Sequence, residues 1–100
     1  MKIFITGATG YIGGSIAATM RDAGHEVVGL VRSDERANQA IAEGIEPIMG
    51  SLDDPDVLAR AATRVEAVIN CASSDHRGAV EAMLGAMEGT DKLFVHTSGT

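Results

Sequence analysis

The sequence contains no tryptophan, one tyrosine and two phenylalanines, so aromatics make up 3% of its 100 residues. A core must therefore be assembled from Ala, Val, Ile, Leu and Met. A hydrophobic content of 45% is enough for that and argues against global disorder. Such a composition suits Ala-rich helices on aliphatic strands better than an aromatic-rich β-sandwich. Positive charge is also scarce: Lys and Arg total 8 against 14 Asp and Glu, for a net charge of −6. No basic cluster is present, so neither nucleic acid nor an anionic membrane surface is an expected partner. The one cysteine, Cys71, has no internal partner for a disulfide, which points to a reducing compartment. There is no signal-peptide pattern and no run approaching the roughly 20 apolar residues of a membrane span. We expect a soluble, cytoplasmic protein of one domain spanning residues 1–100, with no metal site.

Apolar runs and helical stripes alternate along the chain. Lys2-Ile3-Phe4-Ile5 is a short strand followed by a glycine-rich loop. Ile12, Ile16, Met20 and Ala23 then form a helical stripe over residues 11–23, stopped at Gly24. Val27 to Val31 is a second strand. Ser33 is placed to cap the next helix, whose first turn carries Asp34 and Glu35 and which Gly44 ends. Ile45 to Met49 reads as a third strand. Ser51-Leu52-Asp53-Asp54 fits a capping box, and Asp54-Pro55 an N-cap with proline at the first helical position. Ala67-Val68-Ile69 is a fourth strand. Val80, Met83, Leu84 and Met87 have helical spacing, and Leu93-Phe94-Val95 is a fifth strand. The strands are continuous apolar runs, as expected where helices cover both faces of a parallel sheet. The expected fold is α/β, a doubly wound parallel sheet of five strands in the order 3-2-1-4-5.

The stretch "ITGATGYIGG" carries Gly7, Gly10 and Gly13 at intervals of three, after a strand and at the opening of an amphipathic helix. A helix start presents unpaired N–H groups and a partial positive charge, an anion site that needs no basic side chain. Gly7 permits the tight turn, Gly10 lets backbone approach a pyrophosphate, and Gly13 lets the helix pack on the sheet. Thr6 and Thr9 carry hydroxyls that can tie the loop or reach a phosphate. In this context the motif predicts a dinucleotide site formed by Gly7, Thr9, Gly10, Tyr11, Ile12 and Gly13. The competing reading is a glycine-rich turn with no ligand.

"TGATGYIG" resembles the glycine motif of the short-chain dehydrogenase/reductase superfamily, in particular its extended and atypical, epimerase/dehydratase-like members. The resemblance runs along the whole chain. "VVGLVRS" matches the family's second strand and its end, and "GSLDDP" its element after the third strand. "VINCAS" matches the fourth strand and "FVHTSGT" the fifth. It implies a Rossmann-type domain that holds NAD or NADP.

The end of the second strand distinguishes the two cofactors. An acidic residue there bonds the ribose 2′-hydroxyl, whereas an arginine accommodates a 2′-phosphate. Here the strand ends in Arg32-Ser33, with a guanidinium able to grip a phosphate in a bidentate manner and a hydroxyl beside it. NADP is the expected cofactor and NAD the alternative. The competing reading pairs Arg32 with Asp34, Glu35 or solvent, and those carboxylates soften the preference. Where the family has an acidic adenine contact, this sequence has Ser51. By resemblance Ser51 and Leu52 lie on the adenine side, and a purely structural capping box is the competing reading. Cys71, Ala72 and Ser73 end the fourth strand, where small residues leave room for a ribose. Cys71 has no adjacent base and is read as a small hydrophobe rather than a nucleophile.

By resemblance, catalysis would use a Tyr-x-x-x-Lys pair and a hydroxyl at the end of the fifth strand. Thr97, Ser98 and Thr100 offer the hydroxyl, and Ser98 is the expected one. Tyr11 has no lysine four residues on, so the pair is missing from these 100 residues. Asp75-His76-Arg77 either faces a substrate or, with Ser74, starts the fourth helix. His25 is read as a solvated loop residue and His96 as a satisfied strand residue. We therefore expect the N-terminal, cofactor-binding part of a longer NADP(H)-dependent oxidoreductase or epimerase/dehydratase acting on a small molecule. The alternative is an NmrA-like module that binds the dinucleotide without turnover. By itself the stretch is expected to expose an apolar edge strand and self-associate, so a homo-oligomer is compatible with the reading.

Overall fold

A computed structural model of the protein describes residues 1–7, 11–71 and 77–96, and at 11–13 the backbone alone. The element order is β1 (Lys2–Thr6), α1 (Tyr11–Asp22), β2 (Glu26–Val31), α2 (Asp34–Ala42), β3 (Glu46–Met49), α3 (Pro55–Arg64), β4 (Ala67–Asn70), α4 (Arg77–Met87) and β5 (Leu93–His96). The strands pair in parallel as β3-β2-β1-β4-β5. Phe4 lies opposite Val28 on one side and Val68 on the other, and Val68 opposite Phe94.

The topology dictates which helix covers which face. From β1 the chain steps outward through β2 to β3, then returns to the other side of β1 for β4 and β5. Right-handed crossovers then place α1 and α2 on one face and α3 and α4 on the other. The core divides accordingly. Ile3, Ile5, Val27, Val31, Ala67 and Ile69 pack with Ala17 of α1 and Ala40 of α2. The alternate residues Phe4, Val28, Leu30 and Val68 pack with Leu58, Ala61 and Ala62 of α3 and with Ala79, Met83 and Met87 of α4. The strands are apolar without interruption because each neighbouring pair of residues points into two different cores.

Local signals set the ends of the elements. Ser33 caps α2, its hydroxyl accepting from the Arg36 N–H at 3.2 Å. Gly24 and Gly44 sit just past α1 and α2 with φ of 94° and 77°, a conformation costly for any residue with a Cβ. Each is the turning point of a Schellman arrangement: His25 N–H donates to Met20 O, and Ile45 N–H to Ala40 O.

Three expectations shift. The α1 stripe centres on the fully buried Ala17, while Ala23 is exposed beyond the helix end. On α4 the buried line is Ala79, Met83 and Met87, and Leu84 is 45% exposed. Met83 and Met87 of the expected stripe are buried and Val80 is half-buried, but Ala79 takes the place of Leu84 on the side that packs against α3. At residues 51–54 the box closes a turn ahead of α3 rather than the helix itself. Ser51 N–H donates to the Asp54 carboxylate at 2.9 Å and the Ser51 hydroxyl accepts from Asp53 N–H at 3.1 Å. Asp54 occupies the N-cap with no side-chain cap bond, and Pro55 follows.

Candidate functional site at the carboxyl edge of the sheet

Because all five strands are parallel, their carboxyl ends share one edge. That edge gathers Gly7 after β1, Arg32 and Ser33 after β2, Ser51 and Leu52 after β3, and Cys71 after β4. The strand order reverses between β1 and β4, and the ligand crevice of open α/β sheets usually falls at such a reversal.

Gly7 has a φ of 75°, a left-handed conformation that ends β1 and favours glycine. Helix α1 begins at Tyr11, so the backbone of Tyr11, Ile12 and Gly13 forms its first turn, whose N–H groups have no intrahelical acceptors. These donors and the helix dipole favour an anion at the crevice. Thr9 and Gly10 of the expected loop lie outside the described residues, as do Ala72, Ser73, Asp75, His76, Thr97, Ser98 and Thr100.

At the end of β2, Arg32 is exposed. Among the described residues the ion pairs are Arg21–Asp22 and Arg64–Glu46, so Arg32 is not engaged by Asp34 or Glu35. The Ser33 hydroxyl accepts from Arg36 N–H and retains its own proton to donate outward. Past β3, Gly50 N–H donates to Val31 O at 2.9 Å, which holds the 50–54 turn against the end of β2. Ser51 and Leu52 are half-buried there, and Leu52 packs on the α3/α4 core. Cys71 is partly buried against the α1/α2 core, and its N–H donates to Thr6 O at 3.1 Å.

The sequence reading missed a polar chain across this edge, buried at Thr6 and Asn70 and reaching the surface at His96. Thr6 and Asn70 are 0% and 1% exposed. The Thr6 hydroxyl donates to Asn70 Oδ1. Asn70 Nδ2 lies 3.0 Å from His96 Nδ1. With its oxygen used by Thr6, the Asn70 amide donates through nitrogen, so His96 Nδ1 accepts and Nε2 carries the proton. The available signal was a polar residue ending each of three apolar strands, in positions the register aligns: Thr6 with Asn70, and Asn70 with His96. His25 also differs from expectation. It is half-buried, and its Nδ1 is shielded with no hydrogen-bond partner among the described residues. Among the described residues, no three His, Cys, Asp or Glu side chains are grouped to hold a metal ion, and no helix is long and apolar enough to cross a membrane.

Comparison with known proteins agrees with this arrangement. An uncharacterised protein of Saccharomyces cerevisiae is 39% identical over 100% of this chain, which spans 38% of that protein. An oxidase of Acremonium sp is 35% identical over 99% of the chain, which spans 31% of it. The crystal structure of an isoflavone reductase superposes with a TM-score of 0.76 at 27% identity, over 95% of this chain and 35% of that one. The chain thus spans about a third of the length of these relatives. The family model described as NAD dependent epimerase/dehydratase matches residues 3–88. With that match laid over a 3-2-1-4-5 parallel sheet and a glycine turn opening α1, the chain belongs to the NAD dependent epimerase/dehydratase family.

Proposed function

We propose that residues 1–100 form the NADP(H)-binding domain of an oxidoreductase or epimerase/dehydratase that acts on a small molecule. The observation that carries the reading is the pairing of the helix start at Tyr11 with an exposed Arg32, which has no ion-pair partner among the described residues, one strand away on the same edge. The first suits a pyrophosphate and the second a 2′-phosphate. The family membership and the isoflavone reductase likeness support the same chemistry.

The residues at the edge fit the cofactor. The turn at Gly7 and the first turn of α1 would cradle the pyrophosphate, together with Thr9 and Gly10. Arg32 and Ser33 would hold the 2′-phosphate through the guanidinium and the free hydroxyl proton. Ser51 and Leu52 would border adenine, the Ser51 oxygen keeping one lone pair for its amino group. Cys71, Ala72 and Ser73 would flank the ribose beyond the crevice, and Ser98 would orient a substrate oxygen. NADP(H), when bound, supplies hydride transfer; the chain's own part is to bind it extended along the strand ends.

Calorimetric titration with NADPH and NADH tests the reading. NADPH should bind more tightly, and Arg32→Asp should weaken it by about 2 kcal/mol, a factor of about 30, with little effect on NADH. Tighter NADH binding would overturn the NADP assignment. Binding of neither would make the glycine turn purely structural.

A further inference from the structure

We propose that Asn70 is a positioning residue for the nicotinamide half of the dinucleotide, acting through Thr6 and His96. The inference rests on the dinucleotide reading above and adds a role for a side chain outside the glycine motif.

Asn70 ends β4, the strand across the crevice from β1. Its amide uses both ends. Oδ1 accepts from the Thr6 hydroxyl and Nδ2 donates to His96 Nδ1 at 3.0 Å. Thr6 is the residue before Gly7, whose φ of 75° ends the strand. His96 is the last residue of β5. One buried amide thereby joins the ends of three adjacent strands and spans the crevice.

Direction matters in this chain. Thr6 donates, Asn70 accepts and donates in turn, and His96 accepts, which fixes the amide orientation and the imidazole tautomer together. A backbone ladder also joins these strands, with Cys71 N–H donating to Thr6 O. The side-chain chain adds torsional control at the last residue of each strand, where the ladder gives out.

Placement decides which part of the ligand this controls. Arg32 assigns the adenosine end to β2, on one side of β1. The dinucleotide crosses the reversal between β1 and β4, so its other half lies over the ends of β4 and β5. Asn70 and His96 are the terminal residues of those two strands. A misaligned edge there would cost affinity for the whole dinucleotide and leave the adenosine end untouched.

The test compares two ligands on three variants of the full chain. Adenosine 2′,5′-bisphosphate reports the adenosine half, and NADPH reports both halves. Asn70→Leu and Thr6→Val remove the polar groups with little change in volume, and Thr6→Ser restores the hydroxyl. We expect Asn70→Leu and Thr6→Val to raise the NADPH Kd about tenfold while holding bisphosphate binding within about twofold of wild type. Thr6→Ser should bind NADPH like wild type. Unchanged bisphosphate binding also shows that the variants are folded. Equal losses for both ligands would make the chain a general structural tie and overturn the positioning role, as would unchanged NADPH affinity in Asn70→Leu. If Thr6→Ser fails to recover NADPH affinity, the hydroxyl bond is not the cause and the inference fails. If wild-type protein binds neither ligand, the dinucleotide reading falls and takes this inference with it.

Discussion

Gly50 provides a sharp test of the packing that holds the adenine-side turn. Its φ lies outside the left-handed region, so alanine fits the backbone there. Space is the obstacle. A Cβ on residue 50 would stand 2.9 Å from Val57 Cγ1, 3.4 Å from Val57 Cβ and 3.5 Å from Asp54 Oδ2. The first distance is shorter than carbon atoms tolerate, and the second and third need little adjustment. Val57 lies in α3, where a β-branched side chain has one strongly preferred χ1 rotamer and cannot easily swing away. Overpacking of this kind costs about 1–3 kcal/mol. Against it stands a gain of about 0.4–1 kcal/mol from restricting the unfolded chain. Gly50→Ala should therefore destabilise the protein by about 1–2 kcal/mol. Val57 is half-buried, so Val57→Ala alone should cost about 1 kcal/mol. In the Val57→Ala background the 2.9 Å clash is gone. Gly50→Ala should then be neutral or stabilising by a few tenths of a kcal/mol, an estimate that follows from the unfolded-state term alone. Urea unfolding followed by circular dichroism on the four proteins closes the double-mutant cycle. Additivity within about 0.5 kcal/mol would refute the steric argument, because the two sites would then be uncoupled.

Other substitutions probe the core and the caps. Leu58 is fully buried between the sheet and α4, and Leu58→Ala should cost about 2–5 kcal/mol in urea unfolding. Ser33→Ala removes the α2 cap and should cost about 1 kcal/mol, with a loss of NADPH affinity measured by calorimetry beyond that of a cap alone. Lys92 donates from Nζ to Ala62 O at 3.0 Å and Thr63 O at 2.8 Å, covering open carbonyls at the end of α3. Lys92→Ala should lower stability by about 1 kcal/mol in the same unfolding assay, while Lys92→Arg should retain part of that contribution.

The division of labour between sequence and tertiary structure follows the range of the forces involved. The order of elements, the cap at Ser33, the stops at Gly24 and Gly44 and the turn at Gly7 all depend on residues a few positions apart. Their physics is local backbone geometry and nearby hydrogen bonding, so each is legible in the chain. The doubly wound topology is legible for a related reason: uninterrupted apolar strands require two covered faces, and handed crossovers leave few ways to supply them. The stripe on α4 was legible at Met83 and Met87 but not at its margin, where Ala79 rather than Leu84 is buried. Leu84 is larger than Ala79, but the margin of the packed side is chosen by how the helix sits against α3, which presents Ala61 and Ala62. The turn at 51–54 shows the same limit, since its residues match a capping box while the chain uses the bonds one step earlier, against the end of β2. Local sequence determines that Arg32 follows β2. Whether Asp34, Glu35 or open solvent meets the guanidinium depends on side-chain geometry in the fold. The Thr6–Asn70–His96 chain lies furthest from anything sequence can show. Its members are separated by 64 and 26 positions, and only strand order and register bring them to one edge. Sequence determined a dinucleotide-type sheet and its glycine turn, because those rest on local rules. Tertiary structure alone decided which polar groups meet, because a hydrogen bond needs its partners within about 3 Å and separation along the chain carries no such information.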